Sequence, residues 1–514
     1  VSEYLITLDA WSGPLAGGGL VTRYLSTHGR ASGPAEVPAN TLYEPRISDP
    51  GFIEASLFGA GRTFGAGSVT AGEVVLSNAD GALDGWLDDG FDGRAIRIDR
   101  IADPRLGLAM AERLFTGTME AVDATSDALT SLRLRLYDRR VDLDQPIQAA
   151  RYGGTTAAAG ASADGGPDLR GKVKPLVFGR VLKAPAVSVN PHNLIYQVHD
   201  GAVSSISVYD AGVPLTDDGD VASLAALAAA VIPGGRYRTC RALGLFRLGA
   251  APYRTVTADV TEGGALADRS AARVVERMLI RMGLGASVDA VSVAALAAAA
   301  PGEVGIFIGD ERSGLAAMQD VLASVGGWLL TAPTGAIQVG RLAAPGVPVM
   351  EIGEGQIEAR SLRLLRVSDP GEGLPAWRVV LRHRRQWHQY QAGDVAEMLP
   401  ADVRADLARD ALDVIAEAPA VRSRHPLAPE LTIDTLLTDG TAAAAEAARR
   451  LALYSVRRDL VAVDVPAEVA GAARLGASVR LTLSRLGYQA GRAMVVIGRR
   501  DQWRDGLVTL TLWG

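Results

Sequence analysis

From Leu5 to about Gln148 apolar and polar residues alternate along the chain. The runs FIEASLFGA (52–60), SVTAGEVVLSNADG (68–81), RAIRIDRIAD (94–103), RLFTGTMEAVDA (113–124) and LTSLRLRLYDRR (129–140) turn roughly every second side chain to an apolar face, with Gly, Asp and Asn clustered between them. Short runs of period two bounded by turn residues predict antiparallel strands in a sheet or barrel. The segment RYGGTTAAAGASADGGPD (151–168) has no periodicity and is expected to be a flexible Gly/Ala-rich loop. After it, 174–215 reads as a second set of short strands with turns at NPHN, HDG and DAG.

Near Asp220 the period changes. DVASLAALAAAVIP, DRSAARVVERMLIRMG, SVAALAAAAP and SGLAAMQDVLASVGG repeat at helical spacing, start at Asp or Ser and stop at Gly or Pro. EVGIFIGD and GAIQVGRL between them predict strands, so 267–342 forms a compact α+β module. From Met350 onward strands return, in WRVVLRHRRQWHQY, ASVRLTLSRLGY, AMVVIGRRDQW and LVTLTLWG, with two predicted helices, ADVRADLARDALDVI and TAAAAEAARRLALYSVRR. In the second helix Ala444, Ala448 and Leu451 share an apolar stripe and Arg449, Arg450 and Arg457 fall on other faces.

One internal echo stands out. Residues 94–138 and 477–514 each read as an Arg-bearing alternating strand, a return strand, a polar Asp-containing turn and a last strand ending in an aromatic residue. Two copies of one β-fold, first and last in the chain, would produce it. At 514 residues the chain is too long for a single core. The division expected is an N-terminal β-barrel domain (1–150), the loop (151–168), a β-rich middle domain (169–266), the α+β module (267–345) and a C-terminal β-barrel domain with two helices (346–514). The fold class is therefore mainly β with an α+β insert, and multidomain.

A net charge of −6 gives no global basic field for nucleic acid or anionic membrane. Cys240 is the only cysteine, which rules out an intramolecular disulfide and any site built on several thiolates. The start VSEYLITLDAW lacks a basic segment followed by an apolar one, so folding in a cytoplasm, without a membrane anchor, is the expectation.

Candidate chemistry is sparse. The stretch GALDGWLDDGFDGRAIRID (81–99) is rich in Asp and Gly, yet in every register tested for a calcium loop a ligand position falls on Gly, Ala or Phe, and strands flank it. Asp88, Asp92 and Glu120 are the carboxylates available to a hydrolase, with no partner visible in the sequence. The Asp and Gly residues read instead as turn formers, with Trp86 and Phe91 packing the loop onto the barrel. The six histidines show no metal-ligand spacing, and no phosphate-binding or nucleophile motif occurs. No catalytic, cofactor or metal site is expected. Arg378, Arg382, Arg384 and Arg385 with Trp377, Trp387 and Tyr390 form the most basic aromatic run. Base stacking with phosphate contact is one reading. A sheet strand with a solvated or intersubunit face is the other, and the acidic balance of the chain favours it.

The run DLRGKVKPLVFGRV (168–181) followed by NLIYQVHDGAVSSISVYDAGVPL (193–215) resembles tail-tip or baseplate hub proteins of long-tailed bacteriophages and prophages, as do 62–98, FTGTMEAV (115–122) and 271–342. The resemblance implies a structural virion protein and no enzyme: a homotrimer at the tail tip, assembled in the bacterial host's cytoplasm, each chain carrying two tube-like β-barrel domains. It implies as partners a distal tail protein or the tail tube, fibre or receptor-binding proteins, the C-terminus of a tape-measure protein, and DNA in transit. Some relatives hold an iron–sulfur cluster on several cysteines, which Cys240 alone cannot do. The candidate interface residues are Trp86, Phe91, Arg378, Arg382, Arg384 and Trp387. A tail-tip cell-wall or polysaccharide hydrolase, a distal-tail ring protein and a receptor-binding adhesin are the alternatives.

Overall fold

The computed structural model describes residues 2–14, 16–124, 130–391 and 393–514. The first part of the chain forms β1 (Glu3–Ser12), β2 (Gly19–Ser26), β3 (Arg30–Ala31), β4 (Leu42–Pro45), β5 (Ile47–Asp49), β6 (Phe52–Ser56), β7 (Ser68–Ala71), β8 (Val74–Ser77), β9 (Ala95–Ile101), β10 (Glu112–Ala124) and β11 (Ser131–Asp138). Nine of these make one sheet in the order β3-β4-β2-β1-β9-β10-β11-β8-β5. Their inward side chains, among them Ile6, Leu8, Ile98, Phe115, Met119 and Leu134, share one core with Leu25 and Ile47 from distant positions in that order, so the sheet curls around its apolar face. Among the described residues the ladder stays open, because β3 and β5 do not pair.

The last part of the chain contributes β12 (Glu351–Gly353), β13 (Arg363–Leu365), β14 (Leu460–Pro466), β15 (Ser478–Thr482), β16 (Arg492–Gln502) and β17 (Leu507–Trp513) to an open sheet ordered β12-β15-β16-β17-β14-β13. Five strands of each sheet follow the same plan. β9-β10-β11-β8-β5 and β15-β16-β17-β14-β13 run in the same spatial order and the same chain order, all antiparallel. The register matches as well: Ala95 opposes Thr118 as Ser478 opposes Val495. A bulge follows Met119 in β10 and Val496 in β16. Beside it, Met119 exchanges hydrogen bonds with Gly93 and Arg94 (both 2.9 Å), and Val496 does so with Gly476 and Ala477 (2.8 and 2.9 Å). Gly93 and Gly476 both take positive φ, at 68° and 80°, where a side chain would be strained. The echo in the sequence is thus a structural repeat, kept down to a bulge and a glycine.

Between the repeats lie two five-stranded sheets and the α+β module. The four helices predicted there are present, at Leu224–Ala229, Ala271–Arg281, Ala290–Ala299 and Gly314–Ala323. Side chains of Ser223, Asp289 and Ser313 cap three of them by accepting free N–H groups of the first turn. The run 401–415 differs from its reading as one helix. The helix ends at Leu407, and Leu412–Glu417 is a strand antiparallel to Arg378–His383. LDVIAE alternates and holds two β-branched residues, so a neighbouring strand outcompetes helical propensity. The segment 151–168 carries no strand or α-helix and is tied to its surroundings. The Asp164 carboxylate accepts from Gly153 N (2.9 Å) and Thr155 Oγ1 (2.7 Å), and Asn190 Nδ2 donates to Ser162 O (2.9 Å).

Candidate assembly surfaces

Strands β6 and β7, read from sequence as part of the first sheet, pair with the last one. β6 lies antiparallel to β16, Ser56 opposite Gly498 through Phe52 opposite Gln502, and β7 pairs outside it. This edge of β16 is shared. β15 occupies Arg492–Val495, and β6 continues where β15 stops. At the bulge, Leu57 N donates to Ile497 O (2.8 Å). Leu57 and Phe58 then enter a core made by Leu330, Leu342, Leu453, Leu460, Val495, Ile497 and Trp513. The Gly-rich loop beyond them is also held, since Thr63 N and Oγ1 donate to the buried Asp369 carboxylate (3.1 and 2.5 Å). In return, Trp503 of the second repeat packs into the first repeat's core, where its carbonyl accepts from Tyr4 Oη (2.8 Å). The sequence signal for the joint is the apolar pair Leu57–Phe58 placed directly before glycine.

The Asp/Gly stretch is a loop built from its own polar groups. Asn78 Oδ1 accepts from Leu83 N (2.8 Å) and Asn78 Nδ2 donates to Asp84 (2.7 Å). The hydrogen bond from Arg46, helped by Ala82 N–H, holds the Asp80 carboxyl at about 2. Trp86 and Phe91 face inward, 9% and 3% exposed, with ring centroids 5.6 Å apart. The Arg23 guanidinium lies 4.1 Å from the Trp86 ring and pairs with Asp89. The loop therefore shows solvent Leu87, Asp88 and Asp92, with both aromatic candidates in the core. Glu120 occupies the bulge of β10, 3.8 Å from Arg135.

Three of the four arginines in the basic run, Arg378, Arg382 and Arg384, meet carboxylates of neighbouring elements. Arg378 bridges Glu417 (3.2 Å) and Glu430 (3.0 Å) on the two flanking strands. Arg382 reaches Asp410 (2.5 Å), Asp434 (3.0 Å) and Asp413 (3.7 Å), and Arg384 lies 3.5 Å from Asp406. Six carboxylates thus lie within 3.7 Å of three of the four guanidiniums, which weakens the attraction of this run for phosphate. Trp387 packs against Phe307 with Arg385 over its ring, and Tyr390 is buried with its hydroxyl on Thr257. Tyr390 therefore offers no face to a base, and Arg385 lies over the half-buried Trp387 ring.

Among the described residues no group of His, Cys, Asp and Glu could hold a metal ion, and no helix is long and apolar enough to cross a membrane. A cleft of about 870 Å³ lies where the two repeats meet and is lined by Asp49, Phe52, Glu73, Arg133, Arg500 and Arg504. His199 is buried in the middle sheets, and its Nδ1 accepts from Val177 N (2.8 Å). Burial, with the Arg281 charge, lowers its pKa to about 4. An unfolded histidine titrates near 6.5, so between those values the unfolded chain binds more protons and stability falls as pH falls. A loss of roughly 3 kcal/mol from this group is expected between pH 6.5 and 4. His199→Asn, which keeps an acceptor for Val177 N–H, should flatten the dependence of melting temperature on pH across that window. An unchanged slope would assign the acid sensitivity elsewhere.

No family model matches the sequence, and no curated protein matches it. Solved structures do match. A chain of the virion of the native gene transfer agent particle is similar at 14% identity, over 73% of this chain and 91% of that one, with a TM-score of 0.43. A tail protein from Neisseria meningitidis MC58 is similar at 11% identity, over 99% and 96% of the two chains, with a TM-score of 0.41. The 43 kDa tail protein of prophage MuSo2 from Shewanella oneidensis is similar at 10% identity, over 99% and 95%, with a TM-score of 0.41. Each of these likenesses spans most of both chains at low identity.

Proposed function

We propose that the chain is the structural hub of a phage tail tip. Three copies close the distal end of the tail tube, match a sixfold tube to a threefold tip, and carry fibre or receptor-binding proteins on the middle sheets. The observation that carries this reading is the repeat. One chain holds two β-units alike in strand order, register and bulge position, already joined through β6. Three such chains present six similar tube-like units, and a threefold object can meet a sixfold ring only through a surface it repeats. The sequence resemblance to tail-tip proteins supplies the setting, with the distal tail protein or tube and the tape-measure C-terminus as neighbours and DNA as passing cargo. The purified chain is expected to run at three times 53.6 kDa in light scattering or mass photometry. A hexamer would favour a distal-tail ring protein, and a monomer at every concentration would count against the hub.

A further inference from the structure

The two repeats differ at one edge, and the difference shows what is missing. In the second repeat the side of β16 beyond the bulge is covered by β6, from Gly498 to Gln502. In the first repeat the same side of β10 is bare. β9 leaves it at Thr118, Gly93 and Arg94 take Met119, and among the described residues Glu120–Ala124 pair only with β11. Ile497 O accepts from Leu57 N, whereas no backbone N–H of the described residues reaches Glu120 O. Backbone direction alternates along a strand and the bulge shifts it by one, so Val122 and Ala124 present their N–H and C=O groups on this open side. An unpaired edge of this kind is a template for another strand.

We infer that the open edge of β10 at Glu120–Ala124 receives a strand from a second copy of this chain. This rests on the self-assembly proposed above and adds the contact that closes the ring. The occupant follows from the repeat. Between β5 and β8 the first repeat inserts the β6–β7 hairpin, which covers the second repeat's edge within the chain. Between β13 and β14 the second repeat inserts residues 366–459 at the equivalent place. The operation that carries the first repeat onto the second carries this insertion onto the first repeat of the next chain, a head-to-tail contact that closes when its rotation closes.

Val122→Pro tests the edge. Proline there removes an N–H that faces the open side and leaves the β11 ladder intact, a position where edge strands tolerate it. The variant is expected to keep the wild-type circular dichroism, to melt slightly lower because Val122 also packs against the first repeat's core, and to need about tenfold more protein to associate. A trimer that V122P leaves unchanged overturns the edge contact while the hub stands. Association lost in V122P from a wild type that is not trimeric upholds the edge and sinks the hub, and a wild type that never associates overturns both. Should V122P misfold, hydrogen exchange on the wild type decides. Amides of 120–124 are expected to exchange more slowly in the assembled protein than after dilution to monomer, and equal rates would overturn the inference.

Discussion

Truncating Phe58 to alanine is expected to weaken the joint between the two repeats by about 3–5 kcal/mol. The side chain is 1% exposed, and its neighbours come from the module and the second repeat, so little nearby can collapse into the space it leaves. Leu57 sits beside it and continues the β6 ladder through its N–H. Losing the anchor frees the hairpin, and the edge of β16 from Gly498 to Gln502 then opens to water. A single midpoint for a multidomain chain does not report on one joint within it. Local hydrogen exchange does. Amides of 498–502 should lose protection in Phe58→Ala while those of β11 hold theirs. Unchanged protection at 498–502 would show that the ladder, and not the apolar plug, holds the hairpin in place.

The second large effect concerns the helix Gly440–Tyr454. Glu446 is buried on it and accepts from Arg449 Nη2 and Arg450 Nε, both at 2.6 Å. Arg450 is 3% exposed and donates on to Ala323 O (2.8 Å), while Arg449 reaches Leu342 O (2.8 Å) and Val325 O (3.1 Å). The trio therefore clamps this helix to the α+β module. Burial alone would raise the Glu446 carboxyl, but the hydrogen bond from Arg449 and the charge of Arg450 outweigh it and hold the group below its usual range. Glu446→Ala leaves two guanidiniums in a poorly solvated site without their counter-ion, for an expected loss of about 3–5 kcal/mol. Chemical denaturation monitored at the module should show it, and a loss below about 1 kcal/mol would mean that water enters and replaces the carboxylate. The carboxylate's contribution is present above the unfolded value near 4.3 and disappears as pH falls through the lower folded value. That window lies below most of the one opened by His199.

Sequence alone determined the local periods. Alternation in RAIRID and SVRLTL marks strands because side chains on a strand point to opposite faces, and the Asp and Ser starts mark helices because those side chains satisfy free N–H groups. The repeat was legible for the same reason, since two copies of one fold keep one pattern. Partners were not legible. FIEAS reads as a strand wherever it goes, and alternation says which face is buried but not which neighbour lies alongside, so only tertiary structure set it against β16 far along the chain. The arginines of Arg378–His383 look basic in isolation until strands from 410–434 bring the carboxylates that neutralise them. In the last helix, an apolar stripe on Ala444, Ala448 and Leu451 would have left Arg450 outside. The buried face instead runs through Ala443, Glu446, Ala447 and Arg450, because an ion pair with its hydrogen bonds satisfied can be buried where the pattern of apolar residues gives no sign of it. Local sequence chooses the conformation of each element; which element meets which depends on contacts between residues far apart in the chain, and only the folded protein makes them.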